Sequence, residues 1–176
     1  MSRVFQARGD AIRAQFEPQE VELLRTLEQG VSDTLAHADE TDPVIERLFP
    51  TAVAGDDDAD AELRRLLRDE LLEARQAGLR ALIEILDRAR LHRGRLRVDL
   101  TDDEPLLVLG VLNDLRLAIG ARIGIEHLER DNIPDDDALQ YRLAVMDHLG
   151  WWQEQLLVLL DGPDEVRTTD EQGDWP

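Results

Sequence analysis

The hydrophobic period switches between two and about 3.6 residues along the chain, and the switches mark out its elements. Ile12, Ala14 and Phe16 alternate with Arg13 and Gln15, as in a half-buried strand. Arg8-Gly9-Asp10 supplies a turn ahead of it, since glycine takes positive φ freely, so Val4–Phe16 predicts a β-hairpin. Pro18 suits a first helical position. Val21, Leu24, Leu27, Val31 and Leu35 then recur at helical spacing, predicting a helix over Pro18–Ala36. His37–Asp42 reads as a polar loop, Val44–Phe49 as one helical turn ending at Pro50, and Thr51–Asp58 as an acidic loop before the next helix.

The stripe Leu63, Leu66, Leu67, Leu71, Ala74, Leu82, Ile83, Leu86 and Ala89 predicts helix from Asp60 to about Arg90. One rod of that length would span about 45 Å, long for such a chain, so a break is expected near Asp69 or Gly78. His92-Arg-Gly-Arg95 closes this region. Leu96, Val98 and Leu100 alternate with Arg97 and Asp99, predicting a third strand that can pair with the hairpin. Thr101-Asp-Asp-Glu104 is a capping box for a central helix over Asp102–Arg130. A loop over Asp131–Asp137 leads to a last helix, Ala138–Leu160, closed by Gly162-Pro163. The expected fold is mainly α: one helical domain over residues 1–162 with a small antiparallel sheet, then an acidic disordered tail over 163–176.

The two halves echo each other. Ile12-x-Ala14-x-Phe16 before a helix matches Leu96-x-Val98-x-Leu100 before a helix, and Phe49-Pro50 with Asp56–Ala59 matches Ile133-Pro134 with Asp135–Ala138. An internal strand–helix–helix duplication, with approximate two-fold symmetry, is one explanation; the frequency of acid-rich helix starts is the other.

Within the central helix, Pro105–Ile125 is apolar on almost every side of a helical wheel. That predicts an element buried all round and the most buried in the fold. Its polar residues, Asn113, Asp114, Arg116 and Arg122, then need partners, because an unsatisfied buried polar group costs about 1–3 kcal/mol. Arg116 is expected to pair with a carboxylate from another segment, and Asp114 to hold a neighbouring loop. Gly120-Ala-Arg-Ile-Gly124 spaces small residues for close helix approach. Trp151 and Trp152 lie about 100° apart on their helix; core packing of both is the default reading, and the alternative leaves one at a rim that can meet a partner.

Composition narrows the chemistry. The 176 residues carry 39 acidic and 20 basic side chains, a net charge of −19. Every basic residue is arginine. Such a surface argues against direct nucleic-acid contact, whose affinity comes largely from basic groups displacing counterions; the local run Arg88, Arg90, Arg93, Arg95 and Arg97 is the exception. The chain has no cysteine, which excludes thiol catalysis and cysteine-based redox switching within it. No signal pattern opens the sequence, so a cytoplasmic location is expected. Arg116 and Arg122 argue against reading Leu106–Ile125 as a membrane span.

Catalytic and metal motifs fail one by one. Asp56-x-Asp58-x-Asp60 resembles a calcium loop, but Ala61 and Leu67 stand where glycine and glutamate are required. None of His37, His92, His127 and His148 has glutamate three positions before it, so the paired carboxylate–histidine motif of di-iron bundles is missing. His127 and His148 could meet across antiparallel helices, more simply as a structural pair than as ligands. No nucleophile elbow, phosphate loop or dinucleotide fingerprint occurs. No catalytic residue, metal or cofactor is assigned.

Several stretches together resemble a family of small actinobacterial proteins, "domain of unknown function two-thousand-seventeen". They are Arg47-Leu-Phe-Pro50, Asp57-Asp58 with Glu62-Leu-Arg-Arg65, Leu112-Asn-Asp-Leu-Arg-Leu117-Ala-Ile-Gly120, and Leu149-Gly-Trp151 with Gln155-Leu156. The resemblance covers nearly the whole chain. It implies no established enzymatic activity and, through an actinomycete oxidative-stress regulator in the family, a transcriptional role exerted through a partner such as a sigma factor. That regulator's switch uses cysteines, which this chain lacks.

The expectation is therefore a non-enzymatic, cytoplasmic regulatory protein that binds a protein partner in the transcription machinery, its acidic surface attracting a basic one. A homodimer is compatible with it. The alternatives are a direct DNA-binding regulator using the Arg88–Arg97 run, and an enzyme with an unrecognised site near Asp114 and Arg116.

Overall fold

In the computed structural model, residues 3–50, 57–128 and 135–162 are described, those of 57–67 by backbone alone. The order is β1 (Phe5–Arg8), β2 (Ala11–Phe16), α1 (Pro18–His37), α2 (Pro43–Leu48), α3 (Asp57–Arg88), β3 (Arg90–His92), β4 (Arg95–Leu100), α4 (Glu104–Ile123), a 3-10 turn (Ile125–His127) and α5 (Asp137–Leu160). The fold is mainly helical with one four-stranded antiparallel sheet, ordered β1-β2-β4-β3. The tail expected from residue 163, the duplicated Ile133-Pro134 and the acidic loop up to Asp56 lie outside the described residues.

The hairpin and first helix follow the predicted pattern. Gly9 takes φ 60 in the β1–β2 turn. The inward positions Ile12, Ala14 and Phe16 are buried while Ala11, Arg13 and Gln15 are half-buried. Glu20 accepts the Glu17 backbone N–H at 2.7 Å, and Pro18 opens α1.

Three expectations change. First, α3 is continuous from Asp57 to Arg88, without the break expected at Asp69 or Gly78, and it starts inside the stretch expected as loop. Gly78 instead lets α4 come close: a Cβ there would lie 3.3 Å from Val111 Cγ2. Second, Arg90–His92 forms a strand of its own. Arg93 and Gly94 both take positive φ, 51 and 81, as a type I′ hairpin turn requires. Three residues are too few to show an alternation, and arginine is an unusual occupant of that turn. Third, the central helix begins at Glu104 and ends at Ile123, short of Arg130. Only half of the capping box forms: Glu104 accepts the Thr101 N–H at 3.1 Å, while Asp102 turns left-handed at φ 51. Gly124 ends the helix at φ 62, so it is a left-handed cap rather than part of a helix–helix contact.

Nor is α4 buried all round. Pro105, Val108, Val111, Leu112, Leu115 and Ala118 are buried, but Leu106 is 59% exposed and Gly110 and Asn113 also face solvent. The uncovered side runs through Leu106, Gly110 and Asn113, with Leu106 its one large apolar side chain.

The sheet carries the internal repeat. Ala14 lies opposite Val98, Ile12 opposite Leu100 and Phe16 opposite Leu96. A shift of 84 residues carries Ala14 onto Val98 and exchanges the two outer pairs, so the β2–β4 pairing is symmetric about Ala14–Val98. The same shift carries the Glu20 cap onto Glu104, and buried Val21, Leu24, Glu28 and Val31 onto buried Pro105, Val108, Leu112 and Leu115. The 84-residue offset is thus shared by strand, cap and buried face.

Candidate functional site

Asp114, Arg116 and Arg122 each tie α4 to a different neighbour. Asp114 pairs with Arg75 of α3, whose Nη2 donates to the Leu48 carbonyl at the end of α2 at 2.9 Å. The Arg75 guanidinium also lies 5.5 Å from the Phe49 ring centroid. Asp114 thus holds the α2 exit through an arginine. Arg122 Nη1 lies 2.9 Å from the Asp42 carboxylate, and Arg122 Nη2 donates to Thr34 Oγ1 at 3.2 Å. Asp42 in turn caps α2 by accepting the Val44 N–H at 2.8 Å.

Arg116 departs from expectation. Its partner is no carboxylate but the amide oxygen of Gln153, a buried residue of α5, at 2.7 Å. Its Nε is buried without an acceptor among the described residues. Gly150 makes room for it: a Cβ there would meet the guanidinium carbon at 3.2 Å. Asp114 and Arg116, two positions apart on a helix, serve different neighbours and do not share a site.

Asn113 and Arg116 line an open cleft of about 510 Å³ with Arg47, Glu126 and His127. The Arg47–Glu126 ion pair, at 2.8 Å, joins α2 to the 3-10 turn there. His127 and His148 do not meet; His148 Nε2 lies 3.1 Å from Glu20 of α1. Among the described residues, no three His, Asp or Glu side chains converge as metal ligands. No helix among them is long and apolar enough to cross a membrane.

Trp152 is fully buried, edge-on to Phe16 with ring centroids 5.4 Å apart, whereas Trp151 is half-buried beside His148. A second depression, of about 690 Å³, runs between α1, α4 and α5. Leu27, Val31, Ile119 and Val145 line it with Arg122, Arg142 and Tyr141, the last 63% exposed. Sequence reasoning missed this groove.

The basic run read from the sequence supplies part of the outer face of the sheet, through Arg90, Arg95 and Arg97, but Arg8 and Arg13 join it only through strand register. Strand register places Arg8, Arg13, Arg97, Arg95, Arg90 and His92 on it together. Arg97, followed by burial, Arg93 and Arg13, holds the His92 imidazolium pKa below its ordinary value. Arg13, hydrogen-bonded across the strands, holds the Asp99 carboxyl below the usual range, with Arg8 and Arg97 adding to it.

These features describe a mainly helical protein with a small antiparallel sheet, an apolar groove between helices and a cationic sheet face. The chain belongs to the family described as "Domain of unknown function (DUF2017)", whose profile matches residues 1–160. It is 32% identical over 113 residues to the protein named oxidative stress regulator AosR of Mycobacterium tuberculosis, and equally to that of Mycobacterium bovis, covering 64% of this chain and 50% of each relative. The putative oxidative stress regulator AosR of Mycobacterium leprae is 29% identical over 115 residues, 65% of this chain and 51% of that protein. The chain thus spans about half the length of the curated relatives it matches. No solved structure matches it.

Proposed function

We propose that this chain is a non-enzymatic regulatory protein of the stress response that acts by binding a protein component of the transcription machinery, such as a sigma factor. The relatives' shared name as oxidative stress regulators supports the process. The α1–α4–α5 groove supports the mode and is the observation that carries it. An apolar trough between helices suits an amphipathic helix laid into it. Exposed Tyr141 is the residue type that anchors such contacts, and Arg122 and Arg142 favour acidic flanks on the incoming helix. Without cysteine, this chain carries no thiol switch of its own.

The test is affinity purification of the tagged chain from its native host, with and without peroxide, beside a Tyr141→Glu variant. Enrichment of a sigma factor or polymerase subunit by the wild type, independent of peroxide and lost in the variant, is the expected result. Absence of any transcription component in both samples would end this reading.

A further inference from the structure

We infer that the outer face of the sheet is a docking surface for the phosphate backbone of a nucleic-acid duplex. In an antiparallel sheet, directly paired residues share a face. Arg13 pairs with Asp99, Gln15 with Arg97, Arg97 with Arg90, and Arg95 with His92. Four strands spaced about 4.8 Å apart therefore present one cationic strip about 14 Å wide.

Ion pairing leaves much of that charge free. Arg13 is occupied by Asp99 and Arg95 by Glu17. Arg88, which the sequence suggested as part of the patch, is drawn away to Glu104 at 2.6 Å. Arg8, Arg90 and Arg97 on the face, and Arg93 in the adjoining β3–β4 turn, have no carboxylate partner among the described residues. In a chain of charge −19 that is a marked local excess.

The composition of the face selects the occupant. A protein partner is held chiefly by apolar and aromatic anchors at a dry centre. The centre here is Arg13, Asp99, Gln15 and Arg97, with none. Guanidinium groups match phosphate oxygens in planar, bidentate geometry. Such contacts position a protein without reading bases, so binding is sequence-independent. The acidic helical body lies behind the sheet, and beyond about 10 Å its charge is screened at 0.1 M salt. It keeps the contact weak without abolishing it.

The test is fluorescence anisotropy of the full chain with a labelled short DNA duplex as salt rises from roughly 50 to 200 mM. Four free arginines predict a slope of log affinity against log salt near −3.6, a loss of about a hundredfold across that range. Arg8→Glu combined with Arg90→Glu, both on exposed edge positions, weakens binding at least tenfold, by the like-charge penalty of a reversed contact. Arg80→Glu on exposed α3 changes it less than twofold. His92, followed by NMR, rises in pKa when the duplex covers its arginine neighbours. Three results would overturn the inference: no saturable binding at the lowest salt, equal loss in Arg80→Glu, or displacement of the duplex by poly-glutamate at matched charge. The last would assign the face to an acidic protein segment.

Discussion

Arg13 and Asp99 face each other across β2 and β4, joined by hydrogen bonds of 2.6 Å from Nε and 2.7 Å from Nη2. The 84-residue repeat maps this pair onto Arg97 and Gln15, which are also directly paired and share one hydrogen bond of 3.1 Å. One half of the repeat therefore neutralises its central arginine and the other does not.

This asymmetry predicts opposite effects for two exchanges. Asp99→Asn frees Arg13, costs about 0.5 kcal/mol in urea unfolding as expected for an exposed pair, and tightens duplex binding. Gln15→Glu supplies Arg97 with a carboxylate, including for its buried, unpartnered Nε, stabilises the fold by a similar about 0.5 kcal/mol, and weakens duplex binding. The carboxyl of Asp99 is held below its ordinary pKa, so the pair's contribution is present at neutral pH and is lost as pH falls through the acidic carboxylate range. Equal duplex affinity in both variants would mean that the face is not read by its charge.

His92 is predicted to titrate below the usual histidine value, because Arg97, Arg93 and Arg13 all disfavour a further cation. The sign follows: the folded state resists protonation, so lowering pH through the histidine range works against folding. These are exposed charges, so raising salt screens them and moves the pKa back up. A pKa independent of salt, read by NMR, would show that His92 does not sit in the arginine field.

Arg75→Ala removes both the partner of Asp114 and the donor to the Leu48 carbonyl. Both side chains of the pair are mostly buried, at 24% and 15% exposure, so the expected cost is about 2 kcal/mol by loss of a charge partner and a carbonyl donor. Arg68→Ala, which breaks the more exposed Arg68–Glu40 pair, should cost less than about 1 kcal/mol. Equal midpoints for the two variants would show that α2 is not held by α4 through Arg75.

Much of the fold was legible because period reports burial directly. Alternation at Ile12–Phe16 and Leu96–Leu100 located β2 and β4, and helical spacing located α1 and most of α3. Three residues cannot show a period, which hid β3. Leu106 and Leu112 look alike in the sequence, yet one is 59% exposed and the other 1%, because only packing decides which side of an all-apolar helix is covered. The polar residues of α4 could be picked out as needing partners, but Gln153 as the partner of Arg116 depends on Gly150 clearing space on another helix. The sheet face was the least legible, since Arg8, Arg13 and Arg97 become neighbours only through strand register.

Trp152 tests the centre of the core. It is fully buried against Phe16 and His148, with centroids 5.4 and 4.6 Å away, and its Nε1 has no acceptor among the described residues. Trp152→Ala deletes a large buried side chain and should cost about 3–5 kcal/mol. Trp152→Phe keeps an aromatic ring beside Phe16 but removes the indole donor. The lost volume destabilises, while release from burying an unsatisfied N–H returns about 1–3 kcal/mol, so the net cost should be about 1 kcal/mol or less. Urea unfolding followed by far-ultraviolet circular dichroism measures both variants without relying on the tryptophan being removed. If Trp152→Phe proves nearly as costly as Trp152→Ala, the indole donor is satisfied, and a buried water bridging it would be the next thing to seek.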